Sequence, residues 1–281
     1  MSYMLRLSLL TFVLLSVSLT GSAPRLTIAS TVANQYVGQP AVPANGQQSG
    51  KRIAIVIDDF GNGMKGTKEM LSLPIPLTVA VMPFLPTSKA DAEEAHRLGH
   101  EVILHMPMEP NRGKREWLGP GALTTDLDDA EIRKRVEAAI ADIPFAVGMN
   151  NHMGSKVTAD RRMMRIVMEV CRENELFYLD SRTTHKSVIP EVAAEYRVPI
   201  LTNQLFLDDQ YHVSHIRKQL GLLDQKLSDQ SEMIAIGHVG PSGLNVAAAL
   251  RQWSSAMKEQ ARFVTASELI SSVSRDQQIL P

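Results

Sequence analysis

The chain has 281 residues, 44% of them hydrophobic and 21% charged, with a formal net charge of −1. These values suit a soluble globular protein of one large domain or two small ones, and they give no basis for binding nucleic acid or an anionic membrane surface. The single cysteine, Cys171, excludes an intrachain disulfide; it falls in an apolar helical pattern with Ile166, Val167 and Val170, which predicts a buried, inert thiol.

The N-terminus has the pattern of an export signal. Arg6 supplies a positive charge, residues 7–19 are almost entirely apolar or small, and Gly21-Ser22-Ala23 offers a cleavage site after Ala23. The apolar run is shorter than the ~20 residues that a spanning helix needs. Residues 1–23 are therefore expected to be a signal peptide, leaving no stable membrane span once cleaved and an envelope anchor if uncleaved. A bacterial periplasm is the expected location. Residues 24–50 are poor in charge and show no apolar period, which predicts a flexible linker. The folded domain is expected over residues 51–275.

Within that domain, strand-like and helix-like segments alternate. Residues 52–57 read as a first strand, 64–73 as a helix, 77–82 as a strand, 88–98 as a helix and 101–105 as a third strand. A Gly- and Pro-containing loop runs from 106 to about 126, with Trp117 in it. Helix 128–141, strand 145–149, helix 160–174, strand 176–179 and helix 189–196 follow. Strand 199–201, helix 213–227, strand 233–236, helix 245–258 and a short strand at 263–264 complete the series, before a last helix. Such alternation implies parallel strands joined by crossover helices, and about seven units suit a distorted (β/α) barrel. An open doubly wound sheet is the alternative. No fixed-period repeat, GxGxxG or P-loop is present.

The polar residues cluster where the strands end. Strand one runs into Asp58-Asp59, strand three into His105 and then Glu109, and strand four into Asn150-Asn151-His152. Strand five leads to Asp180-Ser181-Arg182, strand six is followed by Asp208-Asp209, and strand seven ends in Gly237-His238. Singly, each has an ordinary explanation as a helix cap, a turn residue or a solvated loop. In a parallel barrel, however, all these ends converge on one rim. Carboxylate and imidazole together suit zinc or another first-row divalent ion. Asp59, His105 and His152 can supply three ligands, Asp58 can take a proton from water, and His238 can give one to a leaving group. That equipment fits metal-assisted hydrolysis of an amide or ester.

Several of these stretches together resemble the divergent polysaccharide deacetylases. They are Ile57-Asp58-Asp59-Phe60-Gly61, the run from Gly99 to Pro110, Asn150-Asn151-His152-Met153-Gly154-Ser155, Leu179-Asp180-Ser181-Arg182-Thr183 and Ile236-Gly237-His238. The resemblance covers residues 51–264. It implies a distorted (β/α) barrel, a divalent metal of zinc type, and a polysaccharide or oligosaccharide substrate carrying N-acetyl groups. It makes Asp58 the base, Asp59 and His105 ligands and His238 the acid, with Asp180 and Arg182 orienting the site or the base. The mainstream pattern has a second histidine four residues after the first; here that position is Glu109. His152 is expected to replace it, with Glu109 as a further candidate ligand or a support for one. The same departure keeps open a second reading, a catalytically inactive carbohydrate- or protein-binding module of the cell envelope. A metal hydrolase of other amides or phosphoesters is a third. Trp117 and Phe84, in loops, are candidates for stacking on sugar rings or for plugging the fold.

Overall fold

Parallel strands of β-branched and aliphatic residues, each followed by a helix, dominate the computed structural model, which describes residues 50–270. The expected signal peptide, residues 24–49 of the expected linker and residues 271–275 of the expected domain lie outside the described residues. The strands are β1 (Arg52–Phe60), β2 (Thr78–Val81), β3 (Glu101–Met108), β4 (Ala146–Met153), β5 (Phe177–Asp180), β6 (Ile200–Thr202), β7 (Leu205–Phe206), β8 (Glu232–His238) and β9 (Arg262–Val264). The helices are α1 (Thr67–Leu71), α2 (Ser88–Arg97), α3 (Asp129–Asp142), α4 (Arg161–Glu173), α5 (Ile189–Tyr196), α6 (Val213–Asp229) and α7 (Gly243–Met257). Among the described residues no helix is long and apolar enough to cross a membrane.

All strand pairs are parallel, in the order β6-β5-β4-β3-β2-β1-β8-β7, with β9 paired to the start of β1. The two ends of that order, β6 and β7, are joined in sequence by Asn203 and Gln204 alone. A sheet whose outermost strands are so linked must curl until its edges meet. The chain itself makes the closure: the Asn203 amide donates to the Asp180 carbonyl at 2.9 Å and the Gln204 amide to the Ile234 carbonyl at 3.3 Å. The fold is the distorted (β/α) barrel expected, with nine strands among the described residues. The expectation of about seven omitted β7, which is two residues long and has too little pattern to read.

Side chains alternate across each strand, and this sorts the core into two layers. Ile53, Ile55 and Ile57 of β1 face the helices, together with Leu104, Tyr178 and Ala235. Ala54 and Val56 face inward, with Ile103, Phe177, Leu179, Ile234 and Ile236. Val264, Ala266 and Leu269 belong to the same inner cluster. Since β9 pairs with the first residues of β1, these three close the floor of the barrel. Gly148 makes room for one large inner residue: a Cβ there would lie 2.5 Å from the Phe177 ring.

Gly148→Ala should therefore lower stability by ~1–3 kcal/mol, as overpacking of a filled core does. Denaturant unfolding measures this, and the added Phe177→Leu substitution should recover part of the loss.

Candidate metal and catalytic site

The inward rows of the barrel lead directly to the polar residues at its C-terminal rim. Following Ala54 and Val56, the next inward position of β1 is Asp58; Ile103 leads to His105 on β3, and Ile236 to His238 on β8. On β4, Asn150 and His152 are two residues apart and so share a face, and the register sets Asn150 against His105 and His152 against Pro107. The β1–β8 register sets Asp58 against His238.

Asp59 would point outward in a regular strand. Between Ile57 and Phe60 the β1–β2 register slips, with one extra residue on β1. Asp59 lies in this bulge with φ at 71°, a left-handed conformation that aspartate tolerates better than most residues. The bulge turns the second acid of the pair toward the first.

Three side-chain atoms meet there. Asp59 Oδ1 is 3.2 Å from His105 Nε2 and 2.9 Å from His152 Nδ1, and the two nitrogens are 3.2 Å apart. Acceptors fix both rings from behind. His105 Nδ1 meets Asn150 Oδ1 at 2.6 Å, and His152 Nε2 meets the Trp117 backbone carbonyl at 3.2 Å. Those oxygens accept only from N–H, so each ring carries its hydrogen on the rear nitrogen and presents a lone pair to the front. Asp59 Oδ1 is buried and accepts no hydrogen bond among the described residues. Three lone-pair donors converging without a hydrogen between them repel one another unless a cation lies among them. Burial disfavours charge on His105, but Asp58 and Asp59 raise its pKa above the ordinary value. Burial likewise opposes the charge on Asp59, but His105 and His152 hold its carboxyl well below the usual range. The donor set of one carboxylate and two imidazoles, each imidazole held from behind, fits a divalent ion of zinc type.

Asp58 lies beside this cluster but outside it. Its Oδ1 accepts from Asn150 Nδ2 at 2.9 Å, and Oδ2 is 3.7 Å from His105 Nε2. Burial pushes its pKa up, against the pull of His105 and His238. Asn150, fully buried, thus joins the back of a ligand to the back of the acid. Across the rim, His238 Nδ1 meets Asp208 Oδ1 at 2.8 Å, and Asp208 Oδ2 accepts from Ser242 Oγ at 2.5 Å. Burial alone would lower the pKa of His238, but the buried Asp208 carboxylate raises it to about 9.

The family model for divergent polysaccharide deacetylases matches residues 55–270. The chain belongs to this family. It is 34% identical to an uncharacterised protein of Haemophilus influenzae over 221 residues, 79% of this chain and 78% of that one. It is also 34% identical to the uncharacterised protein YibQ of Escherichia coli over 195 residues, 69% of this chain and 60% of that one. A crystal structure of an uncharacterised protein from Agrobacterium tumefaciens shares the fold, with a TM-score of 0.73 at 23% identity over 81% of this chain and 92% of that one.

Of the residues expected at the family's site, the barrel brings together Asp58, Asp59, His105, His152 and His238. It does not bring Glu109, Asp180 or Arg182 into that group. Glu109 follows the last residue of β3, and its carboxylate is held by Lys156 Nζ at 2.7 Å and by the Thr125 amide and hydroxyl at 2.8 Å each. It pins the loop after β3 and is not among the three converging donors. Asp180 comes one residue after the inward Leu179 and therefore points away from the barrel interior. Its two oxygens accept from the Arg182 amide and the Ser187 hydroxyl, each at 2.8 Å. Among the described residues no hydrogen bond or ion pair joins Asp180 or Arg182 to Asp58. The groups that orient the site are Asn150, Asp208 and the Trp117 carbonyl.

The pairing with Asp208 has a readable consequence. Folding raises the His238 pKa from 6.5 to about 9, so the protonated pair stabilises the fold fully below pH 6.5 and that contribution is lost as pH rises through about 9. Asp208→Asn should lower the NMR titration midpoint of His238 from about 9 and weaken this alkaline dependence, with Asp58 and Asp59 still holding part of the shift.

Proposed function

We propose that this protein is a metal-dependent hydrolase that removes acetyl groups from an N-acetylated envelope polysaccharide outside the cytoplasm. One observation carries the reading: three lone-pair donors, the buried Asp59 Oδ1, Nε2 of buried His105 and Nδ1 of half-buried His152, face one another beside an acid that is not among them. A divalent ion held by these three would polarise the acetyl carbonyl and make water more acidic. The chain's own residues supply the proton transfers. Asp58, tethered at Oδ1 by Asn150, takes the proton of the attacking water. Burial raises its affinity for that proton, and Asn150 Nδ2 donates to Oδ1 at 2.9 Å, which leaves Oδ2 as the oxygen to receive it. His238, kept protonated by Asp208, gives its proton to the departing amine nitrogen.

The cleft over the cluster supports an acyl substrate. It encloses about 240 Å³, with Asp59 and His152 in its polar wall and Met64, Met82 and Leu85 in its apolar one. An acetyl methyl group suits that apolar wall. Trp117 borders the cleft and is 59% exposed, a flat surface of the kind on which a sugar ring stacks. Its backbone carbonyl holds His152, so the same turn serves ligand and substrate. Family membership supports the polysaccharide class of the substrate. The charged and apolar N-terminal pattern at Arg6 and residues 7–19, with small residues before Ala23, supports export to a periplasm.

Metal analysis and acetate release from N-acetylated oligosaccharides test this reading together. The purified protein should bind about one zinc ion, lose it in Asp59→Ala, His105→Ala and His152→Ala, and keep it in Glu109→Ala. Asp58→Asn should keep the metal and lower turnover by ~10²–10⁴, the range for a lost general base. Bound metal without acetate release from any N-acetylated glycan would turn the reading to a carbohydrate-binding module.

A further inference from the structure

The stretch around Asp180 and Arg182 is left without a part in the site just described. It borders a second cavity on the same rim. This cavity encloses about 360 Å³ and lies where β6 and β7 fail to pair, between the turn after β5 and the start of α6. Arg182, His185, Gln204, Phe206, Asp209 and Gln219 are among its walls.

The hydrogen-bonding capacity of those walls is unevenly spent. Gln204 Oε1 accepts from the Ile234 amide, and its Nε2 donates to Gln230. Gln219 Nε2 donates to the Phe206 carbonyl at 2.9 Å. The Asp209 carboxylate is taken by His215 Nε2 at 2.5 Å. Of the polar lining side chains, only Arg182 and His185 have no hydrogen bond or ion pair among the described residues. Both are donors, and one is a permanent cation.

Arg182 is also held in place. Its φ is 55°, a left-handed conformation that is costly for an arginine, and it persists because buried Asp180 accepts from the Arg182 amide and from Ser187. Asp180 therefore acts on the backbone from behind and leaves the guanidinium unneutralised. The cavity is continuous in structure with the catalytic rim. Phe206 lines it and stacks on the His238 ring at 6.0 Å between centroids, and Asp209 follows the Asp208 that holds His238.

We infer that this cavity is a subsite for an anionic sugar unit next to the one that is deacylated, with Arg182 and His185 gripping its oxyanion. The inference rests on the hydrolase reading and narrows it to an acidic glycan. A planar guanidinium suits a carboxylate or a phosphate ester on the sugar, and both share the chemistry.

The test is binding of three N-acetylated oligosaccharides of equal length to the full-length protein by calorimetry, with acetate release followed in parallel. One is neutral, one carries carboxylates on alternate units and one carries phosphate esters. An anionic oligosaccharide should bind about 10- to 100-fold more tightly than the neutral one, the range for hydrogen bonds to charged groups. The tighter of the two anionic arms identifies the oxyanion. Arg182→Gln should cancel this preference, Arg182→Lys should restore part of it, and His185→Gln should weaken it. Equal binding of all three by the parent protein, or a preference unchanged in Arg182→Gln, would overturn the subsite. Anion preference without acetate release would remove the hydrolase reading alone, and acetate release without anion preference would remove the subsite alone.

Discussion

Strict alternation of side chains along parallel strands is the constraint on which this structure depends. Once Ala54, Val56, Ile103, Leu179 and Ile236 are committed to the barrel interior, the positions reaching its rim are decided as well. Asp58, His105 and His238 continue inward rows, and Asn150 and His152 share theirs. The core and the site are one pattern, apolar below and polar at the top. A slip of one residue on β4 would send Asn150 and His152 to the helix side together. Asp59 is the one member that breaks the pattern, and a bulge with a left-handed residue is the local means by which adjacent acids reach one site.

Alternation brings the groups close, and the hydrogen bonds behind them decide their chemistry. An imidazole with no partner at the back could carry its hydrogen on either nitrogen. Asn150 and the Trp117 carbonyl remove that freedom for His105 and His152, so both lone pairs face Asp59. Asn150 does this while donating to Asp58, and its position links ligand and acid through one uncharged side chain. An aspartate at 150 would repel Asp58, and a leucine would leave His105 Nδ1 and Asp58 Oδ1 unpaired in a dry interior, which is costly. The amide is the side chain that donates and accepts at once in so small a space. Asp208 acts with the opposite sign: a full charge behind His238 keeps the proton on the ring.

How much of this was legible in the sequence follows from the range of each interaction. Apolar runs and helix starts such as Asp128 and Asp160 are local, and the barrel, its strand order in time and the rim of polar ends could be read from them. The extension of β1 through Phe60 and of β4 through Met153 could not, because Asp58-Asp59 and Asn150-Asn151-His152 are polar and interrupt the apolar signal before each strand ends. The three converging donors were legible from residue type and position at strand ends. Asp180, expected to orient the site or the base, also ends a strand, but its place one step after Leu179 turns it to the other side. Counting inward positions from the core, and not only noting which strand ends are polar, separates Asp180 from Asp58. Asn150 and Asp208 stood among the rim residues with no sign of what they would hold. The Trp117 carbonyl had no signal at all, since any residue carries a carbonyl and only the fold of the loop brings it to His152.

The seam between β6 and β7 follows from the same geometry and has a functional side. A barrel closed by a full ladder has no edge, and its rim is crowded all round by strand ends. Here two residues, Asn203 and Gln204, carry the chain across the closure, and their amides bond to β5 and β8 instead of to each other's strand. The strands on either side are three and two residues long. Short strands cannot fill the space above them, and the loops after β5 and β7 diverge to leave a cavity at that point of the rim. A polymer laid across the barrel mouth needs room on at least one side of the reacting unit. The seam leaves that room beside His238, and among the described residues the unpaired cation within it is Arg182.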